Sequence, residues 1–392
     1  MAPIRVLVVD DSAFMRHAIG RLLGEADDLV VVGSASNGEE GLAQAAALRP
    51  DVITLDVEMP VLDGPAMLRR LMAENPTRVV MLSSLTTAGA AVTLDALEAG
   101  AIDFVAKPGG SLSIDVGKVG HDLVAKVRGA AGMSDGAFLA HRYRAARHAA
   151  ARPAYAAPAP PARPARIGAV SSRRIVVIAS STGGPGALSA VIPRLPGRLG
   201  AGVLVVQHLP PGFSASLAAR LAAAGALPCH EGAADDLIVD NEVLLAPGDR
   251  HLISSISGRI QLSSLPPVHG VRPAADVTLQ AVAPVWRDRV LAVVLTGMGV
   301  DGREGARAVR THGGCVIAQD RETSAVWGMP GAVVAAGLAD RVLPLERIAD
   351  AIAAWAAGGA AALRAGVAIR STGGADRVAD DPARGARAYA RS

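Results

Sequence analysis

Three polar residues in the second half of the chain stand at or just beyond the ends of apolar runs. Ser181 follows the run 175–179 (IVVIA), with Ser180 between; His208 follows 202–207; Asp301 follows 290–296. Apolar, largely β-branched runs of this length read as buried strands of a parallel sheet. The carboxyl edge of such a sheet is where an open α/β fold gathers its chemistry, so the three residues can share one address. A hydroxyl nucleophile needs a base within hydrogen-bond reach, and the base needs a carboxylate to fix its tautomer. Ser181, His208 and Asp301 supply that set. Their chain order matches no familiar triad, but triads are defined by geometry rather than order. Ser180 competes for the first role. A nucleophile on a strand-to-helix turn wants small residues two places before and after it, and Ser181 has Ala179 and Gly183 where Ser180 has Ile178 and Thr182. Ser181 is therefore preferred. The amides of Thr182 and of Met298, the latter between Gly297 and Gly299, are the candidate donors to a developing oxyanion. His251 and His269 read as lone loop histidines, and Cys229 and Cys315 as inert, with no His or Cys at ligand spacing.

A second polar set lies in the first half. Asp10 and Asp11 follow IRVLVV at 4–9, Asp56 follows 52–55, Ser83 ends 78–83 and Lys107 follows 102–106. In a sheet of order 2-1-3-4-5, the first and third strands flank the switch point where ligands bind. Three carboxylates there without a basic neighbour repel one another, and they raise a pKa or demand a cation. Mg²⁺ fits, because it takes oxygen ligands and keeps some waters. An aspartate beside Mg²⁺ can attack a phosphoryl group, with Lys107 and the Ser83 hydroxyl on the phosphoryl oxygens.

The elements that must position these groups alternate strand and helix. Five βα units fill about the first 130 residues, which predicts a doubly wound parallel sheet. From Arg173 a second α/β pattern runs through helix 186–194, helix 214–224, strands near 242–246 and 251–255, a hairpin-like piece at 260–265, helix 274–284 and a closing helix 346–357, with room for an antiparallel edge. The expected division is 1–130, an Ala/Pro/Arg-rich linker at 131–172 in which 137–150 forms a short frayed helix, a second domain at 173–357, and a disordered tail at 358–392. The fold class is α/β, with two doubly wound parallel-sheet domains, the first flavodoxin-like and the second Rossmann-like.

Composition narrows the function classes. Half of the 392 residues are apolar and only 19 % are charged, so sizeable cores can form. Segment 133–172 carries net +5 and 358–392 net +3, which leaves the remaining residues at −5 within a total of +3. That balance argues against a basic nucleic-acid-binding face. Two cysteines make no disulfide framework and suit a reducing cytoplasm. The start of the chain enters VLVVDD directly, without the pattern of a signal peptide, and no apolar run reaches the ~20 residues that span a bilayer.

The first half resembles a response-regulator receiver domain on VVDDS at 8–12, LDVEMPVLDG at 55–64, MLSS at 81–84 and AKP at 106–108. The resemblance implies phosphorylation of Asp56 from a histidine kinase, with Mg²⁺ held by Asp10 or Asp11, Asp56 and the Glu58 carbonyl, and a cis bond before Pro108. It places the hydroxyl role on Ser83, with Ser84 as runner-up. The second half is similar to the chemotaxis-type protein-glutamate methylesterases on SSTGGP at 180–185, QHLPPGF at 207–213, APGD at 246–249, LTGMGVDG at 295–302 and WGMPGA at 327–332. It implies hydrolysis of glutamyl methyl esters on chemoreceptors, with deamidation of receptor glutamines, and carries the triad onto Ser181, His208 and Asp301. Two departures stand out. Ala179 and Ser180 occupy the family's usual Gly-Ala, and His269 and Ala274 replace Asn and Ser around Arg272 and Pro273.

The expectation is a cytoplasmic, monomeric, phosphorylation-gated esterase. Its partners are methylated chemoreceptors and a chemotaxis histidine kinase; it uses Mg²⁺ in the receiver, no cofactor for the ester chemistry, no nucleic acid and no membrane insertion. The competing readings are a second domain that only binds a partner, and a serine hydrolase for another substrate.

Overall fold

Alternating apolar and helical-period stretches fold as two parallel sheets. The computed structural model describes residues 2–84, 86–107, 116–151 and 170–364. In the first half, strands β1 (Ile4–Val9), β2 (Leu29–Ala35), β3 (Val52–Asp56), β4 (Arg78–Ser83) and β5 (Asp103–Ala106) alternate with helices α1 (Ala13–Gly24), α2 (Gly38–Leu48), α3 (Gly64–Glu74), α4 (Thr87–Glu98) and α5 (Val116–Ala131). The strands pair in the order β2-β1-β3-β4-β5, the order expected from the sequence. The β1 and β3 ends therefore bring Asp10 and Asp56 together at the switch point.

Next comes α6 (Asp135–Ala151). The frayed helix expected at 137–150 is instead packed: Phe138, His141 and Ala145 are buried, and Arg142 donates to the Met72 carbonyl at 2.9 Å. Its few apolar residues do not show the long stripe of a core helix, which is why the sequence pattern understates it. Pro108 and residues 365–392, with the expected cis bond and most of the expected tail, lie outside the described residues.

The second half contains β6 (Ile175–Ser180), α7 (Gly184–Val191), β7 (Gly202–Gln207), α8 (Phe213–Ala224), β8 (Cys229–Glu231), β9 (Val243–Leu245), β10 (His251–Ser254), β11 (Ile260–Ser263), α9 (Ala275–Trp286), β12 (Val290–Val294), α10 (Arg303–Thr311), β13 (Cys315–Gln319), α11 (Met329–Ala335), β14 (Arg341–Leu343) and α12 (Leu345–Arg364). Seven strands form one parallel sheet, β14-β13-β12-β6-β7-β9-β8. The expected antiparallel edge is not part of it, because β10 and β11 pair with each other as a separate two-stranded sheet. The closing helix continues past the expected end at 357 to Arg364, across a break at Gly359. No helix among the described residues is long and apolar enough to cross a membrane.

The two halves pack against each other through α4, β5, α5 and α6 on one side and α7, α8 and the loops beyond β12 and β13 on the other. Phe104 stacks on Phe213 with ring centroids 4.6 Å apart. Arg220, buried on α8, reaches Asp95 at 2.6 Å, the Ala91 carbonyl at 2.6 Å and Glu98 at 3.5 Å, all on α4. Arg144 on α6 pairs with Glu346 at 3.1 Å. Asp103 on β5 is buried; burial pushes its carboxyl up, and Lys126 and the Thr182 hydroxyl pull the other way. The receiver-like half thus touches the residue that follows Ser181. Charge-assisted hydrogen bonds from a buried guanidinium are worth about 1.5–3 kcal/mol. Arg220→Ala is accordingly expected to loosen the packing of the halves, read as a larger radius of gyration by small-angle X-ray scattering. An unchanged radius would mean that this contact does not hold them.

Candidate active site

Strand β6 delivers Ser180 and Ser181 to the carboxyl edge of the sheet, and the two differ sharply in environment. Ser180 is fully buried, and its hydroxyl donates to Gln207 Oε1 at 2.6 Å. Ser181 is partly exposed. This is the local account of the first departure: the extra hydroxyl at 180 is tied inward to Gln207. The same amide donates from Nε2 to the carbonyls of Ser181 (3.0 Å) and His208 (3.2 Å), so Gln207 clamps the serine and histidine turns together. Gly184 leaves the space for it, since a Cβ there would lie 1.9 Å from Gln207 Oε1. Gly183 takes φ 75°, a left-handed conformation that suits glycine, and is the N-cap residue before helix α7.

The Ser181 amide donates to the Thr296 carbonyl at 3.0 Å. Gly297 comes so close that a Cβ on it would sit 2.9 Å from the Ser181 Cβ. The loop after β12 is in turn fixed by Gly328 and Met329, whose amides both donate to the Gly297 carbonyl. Met298 thus lies beside the serine turn. Neither the Thr182 nor the Met298 amide donates to a backbone carbonyl among the described residues, and Thr182 is buried with its side chain against Asp103.

His208 Nε2 lies 2.7 Å from Asp301 Oδ2. The same carboxylate accepts from the amides of Ala275 (2.7 Å), Asp276 (2.9 Å) and Gly302 (3.0 Å). Burial pushes the Asp301 carboxyl up, but His208 and these amides outweigh it and hold it below the usual carboxylate range. The Ala275 and Asp276 amides open α9, whose N-cap residue Ala274 offers no side-chain cap. Asp301 caps the helix from another segment and receives its N-terminal dipole in return. This contact was not legible in the sequence; the one signal is a helix start that lacks a capping residue of its own.

The two histidines expected on loops are more tied in than that. His251 is buried at the start of β10, where its ring meets the Ala274 amide and the Pro266 carbonyl. His269, which replaces the family's usual asparagine, bonds Asp276 Oδ2 at 2.8 Å. Asp276 is itself buried, and burial together with the nearby Asp301 charge raises its carboxyl.

At the other sheet edge, Asp10, Asp11 and Asp56 place carboxylate oxygens within 4.8 Å of one another. The expectation of no basic neighbour is corrected: Lys107 Nζ lies 2.9 Å from Asp10 and 2.7 Å from Asp56. Burial raises the Asp56 carboxyl, Lys107 opposes the rise, Asp10 adds to it, and the Glu58 amide lowers it. The Lys107 ammonium is raised despite its burial, because both carboxylates hold its proton. Ser83 is turned away from this cluster. Its hydroxyl accepts from Thr93 on α4 at 2.5 Å and faces the Gly89 carbonyl.

Sheet order, acid cluster and strand-end hydroxyl set define a response-regulator receiver joined to an α/β domain with a hydrolase-like site. Residues 6–114 match the response regulator receiver domain and residues 176–352 match the CheB methylesterase. A protein of Symbiobacterium thermophilum named protein-glutamate methylesterase/protein-glutamine glutaminase is 51 % identical over 355 residues, covering 89 % of this chain and 96 % of that protein. The Thermotoga maritima protein of the same name is 43 % identical, covering 88 % of this chain and 97 % of its own. The crystal structure of the Thermotoga maritima CheB methylesterase catalytic domain is 44 % identical, with a TM-score of 0.45, and covers 46 % of this chain and 97 % of that one. The chain belongs to the CheB family of response-regulator methylesterases.

Gly184→Ala is expected to push Gln207 off Ser180 and the two turn carbonyls. Small misplacements of reacting groups cost about 10²-fold in rate, so kcat is expected to fall about 10- to 100-fold while the circular dichroism spectrum is kept. Full activity in this variant would mean that Gln207 does not set the turn.

Proposed function

We propose that the chain hydrolyses methyl esters of glutamate side chains on chemoreceptors, and deamidates receptor glutamines, with Ser181 as nucleophile, His208 as base and Asp301 as the group that orients His208. The observation that carries this reading is the His208–Asp301 pair, with its carboxylate held charged and with the His208 turn joined through Gln207 to the turn of the partly exposed Ser181. With Nε2 committed to Asp301, Nδ1 is the nitrogen left to take the Ser181 proton. Attack on the ester carbonyl places negative charge on its oxygen, where the amides of Thr182 and Met298 would receive it. The protonated His208 then gives its proton to the leaving methanol, or to ammonia from an amide, and water releases the acyl group by the same base. The names of the relatives favour this over a binding-only domain or a hydrolase for an unrelated substrate.

The receiver half would act as the gate. Asp56 is the proposed phosphorylation site, and a chemotaxis histidine kinase the proposed donor. The donor set fits Mg²⁺, because clustered carboxylates, one of them with its carboxyl raised by burial and a like charge, gain from a cation. Asp10 or Asp11, Asp56 and the Glu58 carbonyl would hold the ion, which neutralises charge on the phosphoryl group when bound. Lys107 would then turn from Asp10 and Asp56 to the phosphoryl oxygens, and Ser83 would turn from Thr93. The packing of β5 and α4 against the Ser181 side of the second domain supports gating by occlusion, with phosphorylation loosening that contact. The receiver would span 1–130, the connection 131–172, the hydrolase 173–357 and the tail 358–392, in a cytoplasmic protein.

A small-molecule phosphodonor with Mg²⁺ is expected to raise methanol release from methylated chemoreceptor membranes for the unaltered chain and to leave Asp56→Asn at its basal rate. Equal stimulation of both would remove Asp56 from the gate.

A further inference from the structure

Between the two halves a cleft of about 560 Å³ opens beside Met298. One wall carries Arg321, Val326, Trp327 and Gly328 of the second half; the other carries Arg128 and Gly129 of α5. The two arginines differ. Arg128 is committed to Asp28, with both of its nitrogen contacts at 2.8 Å or less. Arg321 is exposed and makes no ion pair among the described residues, although it stands between two acids in sequence. Asp320 spends its carboxylate on the amide and hydroxyl of Thr323. The guanidinium of Arg321 lies over the Trp327 ring at 5.3 Å, and that ring is fixed by its own N–H on the Gln319 carbonyl. The ring contact positions a guanidinium that makes no ion pair among the described residues, and a guanidinium can receive a carboxylate in a bidentate way.

We propose that Arg321 is a specificity-determining residue that binds a carboxylate of the substrate protein next to the esterified glutamate. The inference rests on the esterase reading above and deepens it. The ester itself is neutral, so a cation at this wall adds nothing to the reacting group. What it recognises is the charge of a flanking acidic side chain, and Trp327 offers the apolar surface for the stem of that side chain. The opposite wall belongs to α5, so the same groove is narrowed while the receiver is docked.

The test uses the full chain with phosphodonor and Mg²⁺. Methanol release is followed from a methylated chemoreceptor cytoplasmic fragment chosen to carry acidic residues flanking the ester, and from the same fragment with those residues changed to alanine. Hydrolysis of p-nitrophenyl acetate reports the state of the active site. Exposed charge pairs contribute up to about fivefold. Arg321→Gln is expected to raise KM about fivefold on the acidic fragment, with kcat and p-nitrophenyl acetate hydrolysis unchanged. The unaltered chain is expected to show the same rise on the alanine fragment, and the two changes together no further rise. Arg321→Lys is expected to recover part of the loss. An unchanged KM in Arg321→Gln, or effects that add, would overturn this assignment alone. Absence of methanol release from both fragments by the unaltered chain would overturn the esterase reading and this inference with it.

Discussion

A buried negative charge organises the catalytic half. Asp301 accepts from His208 and from three backbone amides, two of them the first amides of α9. Without those donors burial would favour the protonated acid, which cannot orient a histidine. Helix α9 gains as well, because its N-cap residue has no side chain to cap it. One ionised carboxylate therefore closes a helix, fixes an imidazole and ties the loop after β12 to the rest of the domain. Gln207 does the matching work on the other side, joining the turns that follow β6 and β7. Together they leave little freedom in the turns that bear Ser181 and His208.

The receiver half is built on the same plan with opposite chemistry. There the strand ends gather carboxylates, and Lys107 shares its charge between two of them. The Ser83 carbonyl accepts from the Lys107 amide while its hydroxyl faces Thr93 on α4, and α4 carries the acids and carbonyl that hold Arg220 of the second half. Strand β5 continues the contact through Phe104 on Phe213 and Asp103 beside Thr182. Packed contacts thus run from the strand ends near Asp56 to the residue that follows Ser181.

Much of this was legible in the sequence because strand runs and the polar residues after them are local patterns. The five-stranded order and the strand-end positions of Asp10, Asp56, Lys107, Ser181, His208 and Asp301 follow from such patterns, and the preference for Ser181 over Ser180 rests on the small residues at 179 and 183. What was missed depends on partners distant in sequence. The α9 amides on Asp301, Gln207 as a clamp, and His269 on Asp276 are side-chain choices that no periodicity records. The three-residue strands β8 and β14 are too short to show alternation. Helix α6 was undervalued because its burial comes from contacts with both halves rather than from an apolar stripe of its own.

The central claim is that Ser181, and not its buried neighbour, performs the hydrolysis. The most direct measurement is methanol release from methylated chemoreceptor membranes, with phosphodonor and Mg²⁺, by Ser181→Ala and Ser180→Ala side by side. Loss of a nucleophile costs about a thousandfold or more, so Ser181→Ala is expected to fall by at least that, while Ser180→Ala, which loses only an inward hydrogen bond, retains measurable release. Release that survives in Ser181→Ala and vanishes in Ser180→Ala would contradict the account.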